Sequence, residues 1–380
     1  MTAHSYRTDV AVVGAGIVGL AFAWEAARRG LAVVLFDRTR QPEGASVRNF
    51  GMIWPIGQPL GEEYQRALRS RQRWLELRDC AGIWVAECGS LHVAHHDDEN
   101  EVLREFAAVG EKHGVQCEYL SAVEASKRFP AVATSGLQGA LYSPTELAVN
   151  SPAAVARLPH YLAETYGVQL RLGVAVTDVN MPEVRTASGE RWLADRVFVC
   201  SGSDFASLFP AVLSTAGIRR CKLQMMRTRP QPNNWRLGPH LAGGLTLAHY
   251  KSFEVCRSLG PLKARIAATM PQYIHYGIHV MASQNDHGEV IIGDSHEYDA
   301  DISPFDKPEI DELILAYLRP RLNLPDWHIA ARWHGIYAKH PTKSFVTAEP
   351  QPGCVIAVAP GSTGMTMSFG LAADWWETHA

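Results

Sequence analysis

Apolar residues along this chain fall into short runs separated by glycine and polar turns, and the opening run is the most informative. Positions 9–13 (DVAVV) form a valine-rich segment that passes at once into Gly14-Ala15-Gly16-Ile17-Val18-Gly19, which predicts strand, turn and helix. The stretch 17–29 is rich in Ala and Leu, and Gly30 stands where a helix would stop. Positions 31–36 then predict a second buried strand with Asp37 at its carboxyl end, completing a βαβ unit.

Elsewhere, 169–179, 195–200 and 355–358 are strand-like, and so are 91–93, 139–142 and parts of 273–296. Helical patterns lie between them. Ser121-Ala122-Val123-Glu124 is a capping box whose helix must finish before Pro130, and 308–318 carries Ile310, Leu313, Ile314, Tyr317 and Leu318 at helical spacing. A helix starting at Ser151-Pro152 is expected to kink or split at Pro159.

The chain has 380 residues, 47% hydrophobic and 20% charged, which suits two lobes with a sizeable core and excludes disordered and fibrous classes. Thirty-six basic residues against 39 acidic give a net charge of −3, so no overall basic field exists to hold nucleic acid or anionic lipid. Seven scattered cysteines without a C-x-x-C pair point to a reducing compartment. With neither a secretory leader nor a membrane-length apolar run visible, a cytoplasmic protein without membrane or nucleic-acid partners is expected.

Each glycine of the first turn has its own physical duty. Gly14 makes the tight turn, Gly16 leaves room for a pyrophosphate at the backbone, and Gly19 lets helix and strand pack closely. Free N–H groups of Ala15, Ile17 and Val18 at the helix start suit a diphosphate, and Asp37, 18 residues after Gly19, can accept from a ribose hydroxyl. A dinucleotide site follows. FAD is favoured over NAD by three later segments: the polar stretch 44–51, the strand 195–200 running into Ser201-Gly202-Ser203, and the strand 355–358 running into Gly361-Ser362-Thr363-Gly364.

With these segments in place, the chain resembles the FAD-dependent amine oxidases of the D-amino-acid oxidase, glycine oxidase and sarcosine oxidase superfamily over essentially its full length. Within it, ASVRNFGMIWP (45–55), RRCKLQMMRT (219–228) and GDSHEY (293–298) resemble a subgroup proposed to act in phosphonate catabolism. The resemblance implies an α/β fold, with a Rossmann-like FAD-binding domain (1–85, 145–220 and 330–380) around a parallel sheet. An antiparallel-sheet substrate domain of α+β type (86–144 and 221–329) would be interleaved with it. It also implies that Val176 meets the adenine through its backbone and Gly202 lies along the cofactor. Arg38 would flank it beside Asp37, and Ser46, Arg48 and Asn49 would border the flavin. Gly361, Ser362, Thr363, Gly364, Met365 and Thr366 would face the pyrimidine edge. A helix starting near Gly364 would aim N–H groups at the charge that flavin reduction creates.

Many members of the superfamily show W-x-G-x-R late in the chain, where the arginine fork grips a substrate carboxylate. Here Trp333-His334-Gly335-Ile336-Tyr337 keeps the Trp and the Gly and places Tyr337 where the arginine stands. That departure fits a substrate whose anion sits farther from the amine, with Arg48, Lys339 and Lys343 as candidate cations. The implied reaction is hydride transfer from a small amine to non-covalent FAD, imine hydrolysis, and reoxidation by O2. An aminoethylphosphonate or its N-methyl derivative is the first substrate expected, glycine or sarcosine the second, and a non-catalytic FAD-binding or dehydrogenase subunit the third reading. The oligomeric state is left open.

Other features read as structural. The run His95-His96-Asp97-Asp98-Glu99 is a solvated turn, no metal site is expected, and His279, His296 and His334 are hydrogen-bonded core histidines. Met225 and Met226 are packing residues, while Lys222 could approach the flavin.

Overall fold

The computed structural model describes residues 5–299 and 302–379 and arranges them around two large β-sheets. At the centre of the first, Ser5–Val13 lies parallel to Val33–Asp37 on one side and Arg191–Val199 on the other. Gln169–Leu172 and Cys354–Val358 extend the parallel order outward. Ala11, Val12, Val34 and Leu35 are completely buried, as a parallel sheet covered on both faces requires. Antiparallel pieces trim it: Val176–Asn180 and Glu183–Thr186 fold back onto Arg191–Val199, and Val346–Gln351 onto Cys354–Val358.

The helix Ile17–Arg28 is buried from Gly19 through Ala27, because it is clamped between this sheet and the terminal helix Gly364–His379. Phe22 stacks on Phe198 at 4.5 Å between ring centres, and Trp24 meets Phe369 edge-on at 5.3 Å. Aromatic burial of this size contributes about 2–3 kcal/mol per side chain and fixes the helix start against the sheet edge.

The second sheet is antiparallel apart from one pairing, of His240–Ala242 with Ser90–Ala94. Its spine is the long strand Arg219–Pro230, which pairs with Ile329–Lys339 on one side and with Glu289–Gly293 and Glu297–Asp299 on the other. The expected boundary at 330 is therefore corrected. Ile329–Lys339 pairs with Arg219–Pro230 in one register from Arg219↔Lys339 to Arg227↔Ala331, with a shift before Thr228↔Ile329, so it belongs to the second sheet and delivers Tyr337 from there. A small sheet of Met52–Ile53, Leu147–Val149 and Val85–Glu87 lies outside both.

Two local expectations also change. Ser151–Tyr166 is one helix through Pro159, which is buried, as are Val155, Leu158 and Leu162 of the same helix, so burial offsets the lost hydrogen bond. His95 to Glu99 is not a solvated turn, because Asp97–Lys112 is a helix whose first turn is gripped by Arg265, 2.6 Å from Asp98 and 3.0 Å from Glu99. The capping box forms as expected, Ser121 Oγ accepting from Glu124 N and Glu124 Oε2 accepting from Ser121 N. All seven cysteines are free, and no helix among the described residues is long and apolar enough to cross a membrane.

Candidate functional site

Three glycines shape the first turn differently. Gly14 has φ +107°, and a β-carbon there would stand 2.3 Å from the Cys200 carbonyl oxygen; one on Gly19 would stand 1.8 Å from the Gly14 oxygen. Both positions are closed by backbone. Gly16 has an ordinary φ of −72°, and a β-carbon there would meet only Ser46 Oγ, at 3.1 Å. Of the three, it alone opens toward free space.

That space is a cavity of about 340 Å³ whose wall includes Gly14 to Val18, Asp37, Arg38, Ser46, Arg48, Asn49, Val176, Gly202, Tyr337, Gly361, Ser362, Gly364 and Met365. Segments from the start, centre and end of the chain thus share one wall. Asp37 Oδ2 accepts from Ala15 N at 2.7 Å and Oδ1 from Thr39 N and Oγ1, which leaves a lone pair on Oδ2 for a ligand hydroxyl. Ser46 Oγ accepts from Ile17 N at 2.9 Å, holding the 45–47 turn against the helix start, and Arg38 pairs with Asp204 at 2.7 Å.

Other expected residues serve the chain itself. Asn49 Nδ2 donates to the Ala45 and Ser46 carbonyls while its Oδ1 accepts from Gly51 N and Ser151 Oγ, so it clamps the loop. Thr363 Oγ1 donates to the Pro360 carbonyl and Thr366 Oγ1 accepts from Trp54 N; neither Thr363, Thr366 nor Gly19 belongs to the cavity wall. The terminal helix does begin at Gly364, with Met365 at the wall.

Among the substrate candidates, Arg48 reaches across to the second sheet, donating from Nη1 to the His334 carbonyl at 3.2 Å. Tyr337 is buried, its Oη makes no hydrogen bond, and burial raises its pKa well above the ordinary phenol value, so it stays neutral. Lys339, just outside the wall, donates from Nζ to Tyr298 Oη at 3.0 Å, and burial lowers its pKa. Lys343 is exposed in the turn after its strand and lies off the wall, so a grip on substrate has no geometric basis there. Lys222 is likewise corrected. Strand alternation turns Leu223 and Met225 to the cavity and Lys222 away from it, to Asp306 at 2.8 Å and the Ser303 carbonyl at 3.1 Å. His334 is not a core residue either; its ring meets Asp306 at 2.9 Å near the surface.

Sequence reasoning missed one constellation. His249, at the end of the short helix Gly244–His249, joins His279 and His296, and each offers a nitrogen within 4.8 Å of the other two. Asp294 lies 3.1 Å from His279 Nε2 and 4.0 Å from His296 Nε2, and both His279 and Asp294 are part of the cavity wall. Burial, then the neighbouring rings, hold His249 and His279 well below the ordinary histidine pKa, and burial takes His296 down to about 3. All three rings are neutral at neutral pH. Burial drives the Asp294 carboxyl pKa well above its usual range. No spacing in the sequence links 249, 279 and 296; only the pairing of strands around Met281–Gln284 and Glu289–Gly293 does.

A glycine-rich strand–turn–helix with an acid closing the second strand, opening into a cavity shared with an antiparallel sheet, defines a two-lobed dinucleotide-dependent oxidoreductase. Residues 9–375 match the family model described as DAO, FAD dependent oxidoreductase, and the chain belongs to that family. Glycine oxidase from Geobacillus kaustophilus is 27% identical over 215 residues, 54% of this chain and 57% of that protein. Monomeric sarcosine oxidase from Bacillus sp. is 26% identical over 206 residues, 52% of each. The chain thus spans a little over half the length of these curated relatives in the matched regions. The fold is shared more widely. The crystal structure of glycine oxidase from Bacillus cereus matches with TM-score 0.77 and 18% identity, covering 98% of this chain and 96% of that one. The L-proline dehydrogenase structure from P. horikoshii matches with TM-score 0.75 and 19% identity, over 97% and 92%.

The residues present suit FAD. Gly16 leaves the helix start approachable, and a β-carbon on Gly202, at φ +63°, would meet nothing within 4 Å, so the wall is open where a long ligand would run.

Proposed function

We propose that this protein oxidises a small primary or secondary amine that also carries an anionic group, first of all an aminoethylphosphonate or its N-methyl derivative. The observation that carries this reading is Tyr337: a neutral, buried phenol stands in the cavity wall where a carboxylate-gripping arginine would serve an α-amino acid. Bound FAD supplies the two-electron oxidation of the amine to an imine, which water then hydrolyses.

The chain supplies position and electrostatics. Val18 would present its N–H to the pyrophosphate beside the open Gly16, while the N–H groups of Ala15 and Ile17 are held by Asp37 and Ser46 and shape the turn; Asp37 would accept from a ribose hydroxyl, with Val176 and Gly202 flanking the cofactor. The start of the helix Gly364–His379, beside Gly361 and Ser362, would direct N–H donors at the pyrimidine edge of the ring, where reduction accumulates negative charge. Attachment is non-covalent in this reading: Cys200 is the cysteine in the wall, beside Gly14 rather than beside the ring, and burial keeps it a thiol. Arg48 would attract the substrate anion, and Leu223, Met225 and Met281 would exclude water around the reacting carbon. Fixing the amine in this way can contribute ~7–11 kcal/mol to catalysis without a side-chain base. O2 is the proposed terminal acceptor.

A second reading, oxidation of glycine or sarcosine themselves, is favoured by the relatives that bear those names. Anaerobic bleaching of the flavin by 2-aminoethylphosphonate, its N-methyl derivative, glycine and sarcosine separates the two. Faster bleaching by an aminophosphonate is expected. Faster bleaching by sarcosine or glycine refutes the phosphonate, and an oxidised spectrum with every amine refutes amine oxidation altogether.

A further inference from the structure

We propose that His249, His279 and His296 bind a divalent transition-metal ion of the zinc class, with an open coordination position toward the cavity that takes the anionic group of the substrate. The choice of ligand rests on the amine-oxidation reading above; the metal site does not.

Three features of the cluster suit metal ligation. First, the tautomer of His296 is fixed: Nδ1 lies 3.0 Å from the Gly277 carbonyl, which can only accept, so Nδ1 carries the proton and the Nε2 lone pair is left free. That Nε2 is buried and makes no hydrogen bond. A backbone carbonyl holding the far N–H is the usual arrangement behind a metal-bound imidazole. Second, His279 is buried beside a carboxylate, its Nε2 3.1 Å from Asp294 Oδ1 with no hydrogen bond between them, and its Nδ1 has no partner either, so the ring keeps a nitrogen lone pair to give. Third, although His249 stacks on His279 at 3.8 Å and His279 on His296 at 5.0 Å between centres, the three rings still bring one nitrogen each within 4.8 Å of the other two. Donor nitrogens left unpaired in such a nest cost free energy unless something accepts their lone pairs.

Zn–N bonds of ~2.0–2.1 Å place tetrahedral ligand nitrogens about 3.4 Å apart, so this trio, now within 4.8 Å, must close by up to about 1.4 Å as the rings turn out of their stack. Three protein ligands leave the fourth position open, as in catalytic rather than structural zinc sites. His279 and Asp294 are in the cavity wall beside Tyr337, so that position faces the space from which the arginine is missing. Phosphonate oxygens are hard, doubly charged donors suited to it.

The test uses the FAD-loaded enzyme. After dialysis against a chelator, Zn²⁺ is added and the metal retained through gel filtration is measured. The expected result is one ion per chain, with at least tenfold weaker binding in His296→Ala and in His249→Ala, and a smaller loss in Asp294→Asn, whose carboxylate lies beside a ligand. Flavin spectra and thermal unfolding of the variants show whether they remain folded. Should both alanine variants unfold, Asp294→Asn and titration of the unmodified enzyme decide. No retained zinc in the unmodified enzyme, or undiminished retention in folded variants, overturns the site. 2-Aminoethylphosphonate is then titrated into chelated and zinc-loaded enzyme, read by perturbation of the oxidised flavin spectrum or by equilibrium dialysis. At least tenfold tighter binding with zinc is expected, and equal affinity overturns the anchoring role in favour of direct hydrogen bonds. Zinc content is read without turnover: failure of every amine to bleach the flavin leaves it standing, and bleaching by a metal-free enzyme at full affinity removes it while amine oxidation survives.

Discussion

Alanine at Gly16 and at Gly14 divides what the fold needs from what the cofactor needs. Gly16 already has φ −72° and ψ 172°, which any residue adopts, and its new methyl would meet only the end of the Ser46 side chain at 3.1 Å. A poorer helix N-cap costs roughly 0.5–1 kcal/mol, and a stiffer unfolded chain returns ~0.4–1 kcal/mol, so the net change stays within about 1 kcal/mol. Across 380 residues, ~2.1 cal/mol/K per residue gives an unfolding entropy of about 0.8 kcal/mol/K, so the apoprotein Tm moves by only about 1 °C. FAD binding is another matter. The methyl occupies the one open glycine position of the turn, and one or two charge-assisted N–H bonds to phosphate, ~1.5–3 kcal/mol each, are lengthened or lost. The dissociation constant should rise at least tenfold. Gly14→Ala has the opposite signature. At φ +107° with a backbone oxygen 2.3 Å from the new carbon, strain of ~1–3 kcal/mol and overpacking of ~1–3 kcal/mol add, lowering Tm by about 3–8 °C. Circular dichroism of the apoproteins and quenching of FAD fluorescence measure both quantities. Gly16→Ala with FAD affinity within threefold of the unmodified protein refutes the pyrophosphate assignment, and an unchanged Tm in Gly14→Ala refutes the closed turn.

Arg48→Ala should raise the apparent dissociation constant of an anionic amine about tenfold or more, the worth of one charged hydrogen bond of ~1.5–3 kcal/mol; unchanged affinity in a flavin-perturbation titration removes the role. Tyr337→Phe should leave the Tm of the apoprotein equal or higher, because Oη makes no hydrogen bond in the folded chain, while weakening substrate roughly three- to tenfold. A clear fall in Tm would show that the hydroxyl is paired. Acid should unfold the protein steeply. Burial takes His92 down to about 3 and His240 down to about 4, against an unfolded value near 6.5, so the unfolded chain binds two more protons between these limits. Their stabilising contribution is full above about pH 6.5 and is lost as pH falls toward 4, with a slope of at most about 3 kcal/mol per pH unit near pH 5. Urea unfolding from pH 7 to 5 reads this together with the contributions of the other histidines that burial holds low, His95, His249, His279 and His296; His92→Phe should lower the total slope by about 1.4 kcal/mol per pH unit, and an undiminished slope would refute the assignment to His92.

The opening βαβ unit was legible because its signals are local: a valine run, glycines at fixed spacing, and an acid at the end of the next strand fall within 9–37. The start of the terminal helix was legible for the same reason. Membership of Ile329–Lys339 in the second sheet was not, since it depends on pairing with a strand more than a hundred residues earlier. Pro159 and the 95–99 run misled for a related reason. In one case burial around the ring, and in the other a distant Arg265, decided a conformation that local propensity alone would not give. The histidine cluster was invisible because His249, His279 and His296 each look like an ordinary core residue until three separate segments are folded together.

Two sources of positive charge now compete for the substrate anion, and their physics differs enough to separate them. Arg48 is a half-buried guanidinium already spending one donor on the His334 carbonyl, so its attraction for an incoming anion is partly exposed to solvent. Raising ionic strength from low to physiological shortens the screening length to about 8 Å and should weaken such a contact. A metal held by half-buried His249 and buried His279 and His296 would bind its anion through a short coordinate bond, which salt barely screens but a chelator abolishes. Substrate affinity that falls with salt and ignores chelation would place the anion at Arg48 alone. Affinity that resists salt and collapses on chelation would place it at the histidines, leaving Arg48 to tie the flavin-bordering loop to the second sheet. Additive losses from both treatments would mean that the anion bridges them, with Tyr337 in the same wall.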